Sequence, residues 1–187
     1  AFGESHLKDF IDESNEIIES LTKGLLELEE SPTGKAALVN DLFRYFHNMK
    51  GNSGIIGYAE LNALTHEAET LLNNVRQGKI TPSHELIDLL LLVVDVMETL
   101  VQNIDVTSGQ AAPFETATVI TQLQAALAGG PITLPAELLA AQGRVHQAAA
   151  PAQPVSVQAP VEVVAPTIIP AGSEGDDAEA FRVTVRQ

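Results

Sequence analysis

The chain has 187 residues, 25 of them acidic and 10 basic, for a net charge of -15. That balance excludes a basic nucleic-acid interface, and it excludes an anionic membrane surface as partner. Cysteine is absent, which removes disulfides, thiol catalysis and thiolate metal ligation.

No stretch approaches the roughly 20 apolar residues of a membrane span. Lys8, Asp9, Asp12 and Glu13 interrupt the first apolar residues, so no signal peptide is read there. The composition is that of a soluble, intracellular protein, with the cytoplasm as its expected location. Proline is unevenly placed: only Pro32, Pro82 and Pro113 precede residue 131, and the other seven lie at residue 131 or after it. All aromatics except Phe181 lie in the first part as well. A core is expected in residues 1–130, and little core after them.

The first part reads as helices in succession. From Ser5 to Glu30, Leu7, Phe10, Ile11, Ile17, Ile18, Leu21, Leu25 and Leu28 recur at helical spacing, with Asp9, Asp12, Glu13, Glu16 and Glu19 opposite. Ser31-Pro32-Thr33-Gly34 stops this helix. A second runs from about Lys35 to Gly57, with Leu38, Leu42, Phe46 and Met49 in one stripe. A third, Tyr58 to Gln77, carries Leu61, Leu64, Ala68, Leu71 and Val75, and Gly78 is placed to end it. Thr81 and Pro82 predict the N-cap and first position of a fourth helix. Leu86, Ile87, Leu90, Leu91, Val94, Met97 and Val101 form its inward face. A shorter fifth helix is expected over Pro113 to Ala128, carrying Phe114, Ile120, Leu123 and Leu127. The fold class is therefore all-α: an antiparallel four-helix bundle plus a shorter fifth helix.

A flexible Ala/Pro-rich tail is expected to follow. Ala136 to Ala149 offers a weak lone helix, and residues 131–178 read as a mostly disordered linker. Phe181-Arg182-Val183-Thr184-Val185-Arg186 alternates like a strand. Residues 179–187 are read as the start of a truncated next domain.

The chemistry concentrates in His47-Asn48-Met49-Lys50-Gly51-Asn52-Ser53-Gly54. On a helix, Lys50, Gly51 and Gly54 share the face of His47, while Phe46 and Met49 turn to the core. Two helical glycines cost roughly 2 kcal/mol together relative to alanine. A bare face beside a histidine fits a neighbouring helix packed closely, or a partner that must approach the ring. Imidazole can carry a covalent group as a nucleophile. Phosphoryl transfer needs positive charge near the equatorial oxygens, which Lys50 can supply. Asn52 and Ser53 could bond a phosphoryl oxygen, but helix capping or solvent exposure explains them as well.

On the third helix, His66 and Glu69 share a face. If helices two and three turn near Gly57, His47 and Glu69 differ in height by roughly 3 Å, at about 1.5 Å per residue. Glu69 is thus placed to orient His47 through one ring nitrogen and leave the other free. His6, His84 and His146 stand outside this constellation.

The run H-x-x-K-G-x-S-G, with Thr65-His66-Glu67-Ala68-Glu69-x-Leu71-Leu72 downstream, resembles the histidine phosphotransfer (HPt) domain of CheA-type chemotaxis kinases. The likeness covers residues about 5–105 and extends plausibly through the fifth helix. It implies that His47 is the phosphoacceptor, with Lys50, His66 and Glu69 as the polar network around it and Gly51 and Gly54 as the docking face. It implies a histidine kinase catalytic domain, with ATP and Mg, as phosphoryl donor, and no cofactor in this chain. A CheY/CheB-like response regulator would be the acceptor. A chemoreceptor-adaptor complex would engage other parts of the parent protein, and the module beginning near Phe181 would be regulator-binding. The fragment itself would be monomeric.

Three other readings are weaker. A bundle di-metal site needs several inward carboxylates and E-x-x-H pairs; here H-x-x-E occurs once, beside the cation Lys50. No metal site is therefore read. A bundle with a decayed site would work by binding alone. A carrier in a multistep phosphorelay would keep the chemistry and change the pathway. Nucleotide-binding motifs are missing from the sequence, so the chain is expected to take a phosphoryl group only from a separate kinase.

Overall fold

A computed structural model describes residues 3–31 and 35–134 of the chain. All of them lie in the first of two units, residues 1–148. Pro32 to Gly34, the expected Ala136–Ala149 helix, the linker from residue 135 onward and the Phe181–Arg186 strand lie outside the described residues.

Five helices form: α1 (Glu4–Glu30), α2 (Ala36–Ile56), α3 (Ala59–Arg76), α4 (His84–Gln102) and α5 (Ala117–Leu127). Among the described residues there is no named strand, and one isolated bridge joins Ile104 and Ala111. The first four helices close a ring in chain order. α1 packs on α2 and α4, and α3 packs on α2 and α4. α5 lies against α3 and α4. This is the expected all-α bundle with its fifth helix.

The apolar spacing explains the packing. α1 buries Leu7, Phe10, Ile17, Ile18, Leu21, Leu25 and Leu28 and leaves its acidic face in solvent. Gly24 lies at the α1–α2 contact, where an added Cβ would come within 2.6 Å of Leu42 Cδ2. α2 turns Val39, Leu42, Phe46, Met49 and Ser53 inward. Its remaining faces are free to carry polar chemistry.

α4 departs from the one-sided helix expected. Leu89, Leu92, Val93, Val96 and Leu100 are buried as well as the inward stripe. A helix with so wide an apolar surface must be covered on more than one side, and α5 supplies the extra cover with Val119, Leu123 and Ala126, while His84, Glu85, Glu98 and Gln102 stay exposed. Two boundaries also differ. The N-cap of α4 is Ser83, whose Oγ accepts from the Leu86 amide at 3.1 Å, and not Thr81. Pro82 therefore lies before the helix instead of at its first position. α5 begins at Ala117, because Glu115 Oε1 accepts from the Thr118 amide at 3.0 Å and starts the helix there. Phe114 is left outside it and partly in solvent, instead of in the core.

The α2–α3 hairpin sets the site. Only Gly57 and Tyr58 separate the two helices. Gly57 is left-handed at φ 94°, which lets the Tyr58 amide reach back to the Ser53 carbonyl at 3.0 Å. Tyr58 then anchors the turn by donating from its hydroxyl to the Gly109 carbonyl at 3.2 Å. Gly57→Ala has open space for its methyl group, so any loss comes from the backbone. We expect that variant to lose about 1–2 kcal/mol of unfolding free energy in urea titration; a loss indistinguishable from zero would mean the turn tolerates another conformation.

Candidate functional site

The buried stripe of α2 decides where His47 points. Phe46 and Met49 are fully buried, so the next residues around the helix face outward. The His47 side chain is 59% exposed. Gly51 has no atom within 4 Å of the position a Cβ would occupy, so the helix face one turn on is open.

Glu69 stands across the hairpin on α3. Its neighbours Thr65, Ala68 and Leu72 are buried, and it is itself almost withdrawn from solvent. One carboxylate oxygen, Oε1, lies 2.8 Å from His47 Nδ1. The other, Oε2, forms an ion pair with Lys50 Nζ. An ionised carboxylate only accepts hydrogen bonds. His47 therefore donates from Nδ1–H, and in the neutral ring the lone pair is on Nε2.

Burial alone pushes the Glu69 carboxyl up. Hydrogen bonding and charge from Lys50 and His47 outweigh that and hold it below its ordinary value. Glu69 is thus an anion at neutral pH, kept so by the two groups it orders.

Lys50 is fixed at its backbone too. Its carbonyl accepts from Asn62 Nδ2 at 2.7 Å and from Ser53 Oγ at 3.1 Å. An added Cβ at Gly54 would stand 3.0 Å from Asn62 Nδ2. Gly54 therefore makes room for an α3 side chain that pins α2, whereas Gly51 leaves an approach open. The two glycines answer the two alternatives separately. Ser53 is buried and turned inward, so it is not available to a phosphoryl group on the outer face. Asn52 faces α1, beside Asp9 and Glu13.

His66 is exposed and lines the same crevice as Lys50, Glu69 and Thr70. It makes no hydrogen bond to His47, Lys50 or Glu69. Phe43 and Arg76 border this crevice as well. Phe43 precedes His47 by one helical turn and stacks with its ring, with centroids 6.0 Å apart and planes 22° apart. The sequence carried a signal for Phe43, an aromatic four residues before the histidine on a helix. Arg76 and Asn62 carried none, because what brings them to the site, Phe43 and Asn40 for Arg76 and the Lys50 carbonyl for Asn62, lies on another helix. Among the described residues, no group of three or more His, Asp or Glu side chains is placed to hold a metal ion. No helix among them is long and apolar enough to cross a membrane.

The pattern of the Hpt domain matches residues 6–107. The chain belongs to the Hpt domain family. The domain is 40% identical over 99 residues to the chemotaxis protein CheA of Bacillus subtilis, covering 53% of this chain and 15% of that protein. It is 36% identical over 124 residues to the sensor histidine kinase CheAY of Helicobacter pylori, covering 64% and 15%. The chain thus spans about 15% of the length of these relatives. Among solved structures, the CheA phosphotransferase domain from Thermotoga maritima matches with a TM-score of 0.52 and 31% identity, over 55% of this chain and 96% of that one. The phosphorylated P1 domain of CheA3 in complex with CheY6 from R. sphaeroides shares the fold, with a TM-score of 0.62 at 22% identity, over 68% and 99%.

In this Hpt domain the site also contributes to stability. A carboxyl held below its unfolded value stabilises the fold fully above the ordinary value of 4.5, and the contribution is lost as pH falls through the folded value. Urea titrations of the wild type and Glu69→Gln should therefore show a gap near neutral pH that narrows below about pH 4.5. A gap that ignores pH would take the ionised carboxylate out of the fold's stability.

Proposed function

We propose that this Hpt domain is the phosphotransfer module of a CheA-like chemotaxis kinase, with His47 as its phosphoacceptor. The observation that carries the reading is the 2.8 Å contact of Glu69 with His47 Nδ1, which leaves Nε2 on the solvent side of α2. The family match and the CheA relatives support it. The donor is a separate histidine kinase catalytic domain with its ATP and Mg, and the domain works in the cytoplasm.

The chemistry balances on one ring. The Nε2 lone pair attacks the terminal phosphorus of ATP, an N–P bond forms, and the P–O bond to ADP breaks. Nδ1 keeps its proton, and the positive charge that develops on the imidazole is met by the Glu69 carboxylate. Lys50 adds positive charge one turn along the same face, toward the incoming phosphoryl oxygens. In the second step an aspartate of a CheY/CheB-like response regulator attacks phosphorus. The N–P electron pair returns to Nε2, and neutral imidazole departs instead of an anion. Gly51 gives both partners room to reach the ring. The parent protein would connect to a chemoreceptor-adaptor complex through its other parts. His66, exposed beside the site, would act at most on approaching groups.

The test is to mix the chain with a CheA-type kinase core lacking its own phosphotransfer domain, plus ATP and Mg. An acid-labile phosphoryl group should appear on His47 by mass mapping and disappear when a response regulator is added. His47→Gln should abolish the label and keep the helical circular dichroism, since His47 faces water. No label on the folded wild type with a matched kinase core would sink the reading. Glu69→Ala should slow labelling by roughly tenfold or more, the usual cost of losing an orienting partner of a histidine. Unchanged kinetics would remove Glu69 from the mechanism.

A further inference from the structure

A single hydrogen bond does not fix an imidazole. Glu69 holds Nδ1, but the ring can still rock about the Nδ1···Oε1 axis, and rocking swings Nε2 away from an incoming phosphorus. The second restraint comes from Phe43. It lies one turn before His47 on α2, with its ring within 22° of the imidazole plane and 6.0 Å away between centroids. That is the distance range of an offset stack. Phe43 is itself partly buried against the core.

Phe43 is held in turn by α3. The Arg76 guanidinium carbon lies 4.0 Å from the centroid of the Phe43 ring, within cation–π range. Arg76 is aimed there by Asn73 Oδ1 at 2.8 Å and Asn40 Oδ1 at 3.3 Å. Asn40 belongs to α2 and Asn73 to α3, so the guanidinium ties both helices beside the site.

We propose that Phe43, clamped by Arg76, is a positioning residue of the phosphotransfer site. Its flat face limits rocking of the His47 ring and keeps Nε2 aimed outward over Gly51. The inference rests on His47 being the phosphoacceptor, and it adds to that reading a restraint that acts through a ring face instead of through a charge.

The experiment uses the full chain in four forms: wild type, Phe43→Leu, Phe43→Tyr and Arg76→Met. Leucine keeps apolar volume and removes the flat face; tyrosine restores it. Two readouts are taken. The first is relaxation of carbon-labelled imidazole in the unphosphorylated protein, which reports ring order on the ps–ns scale. The second is the labelling rate of His47 by a kinase core, separated into kcat and KM.

Phe43→Leu should lower the order of the His47 ring and reduce kcat about three- to tenfold with KM unchanged. Phe43→Tyr should restore both. Arg76→Met should loosen the ring with a smaller loss of kcat. Wild-type ring order in Phe43→Leu overturns the proposal, and so does a tyrosine variant as impaired as the leucine one. If Phe43→Leu fails to fold, Arg76→Met decides, because Arg76 is exposed: unchanged ring order there overturns the clamp. If the wild type takes no label, the phosphoacceptor reading fails, while ring order in the variants still decides the positioning role.

Discussion

The carboxylate of Glu69 lies almost out of solvent between His47 Nδ1 and Lys50 Nζ. A carboxylate withdrawn from water is costly unless its oxygens find partners. Here one partner is the His47 ring and the other is the Lys50 cation. The requirement fixes the height of α2 against α3, since both donors come from α2 and the acceptor from α3. The tight turn at Gly57 and Tyr58, the Asn62 bond to the Lys50 carbonyl and the room left by Gly54 all serve that register. Such a pair is weak grounds for stability by itself. Its consequence is directional: it chooses the tautomer and turns Nε2 to the outside.

The bundle makes this arrangement possible by dividing the work between helices. α4, buried over most of its surface, carries most of the apolar packing together with α1. α2 is therefore relieved of a second buried face and can expose a histidine, a lysine and a glycine in one stretch. The acidic face of α1 stays solvated, in keeping with the net charge. The proposed function needs no deep pocket, because the partners it calls for are domains and not small molecules. An open helix face with one oriented nitrogen is the geometry that two protein partners can visit in turn.

Much of this was legible from residue spacing. The stripes of α1, α2 and α3 separated core from surface correctly, because a helical period leaves few choices for aliphatic side chains. The His47–Glu69 approach followed from counting residues on either side of Gly57. Reading failed where a local signal had a competitor. Thr81-Pro82 is a good helix start, but Ser83 offered a hydroxyl two residues later, and its bond to the Leu86 amide won. The spacing puts Phe114 in the fifth helix, but the Thr118 amide bonds Glu115, the helix starts at Ala117, and the ring is left outside it. Ser53 shares a glycine-rich stretch with the site but turns inward to the Lys50 carbonyl. His66 shares the face of Glu69 and sits in the crevice, but it is exposed and bonds none of the three polar groups.

The sequence by itself determined the all-α class, the sidedness of α1, α2 and α3, and the pairing of a histidine with a glutamate at matching height. These depend on periodicity and on chain distance from a turn, both of which are local. The tertiary structure alone decided that Glu69 meets His47 and Lys50 at once, that Gly54 gives room to Asn62 while Gly51 faces open space, and that Phe43 and Arg76 frame the ring. Those outcomes depend on how far apart two helix surfaces come to rest and how side chains from both settle between them. Spacing along one chain segment cannot express that distance, because it is set by the summed packing of residues far away in sequence.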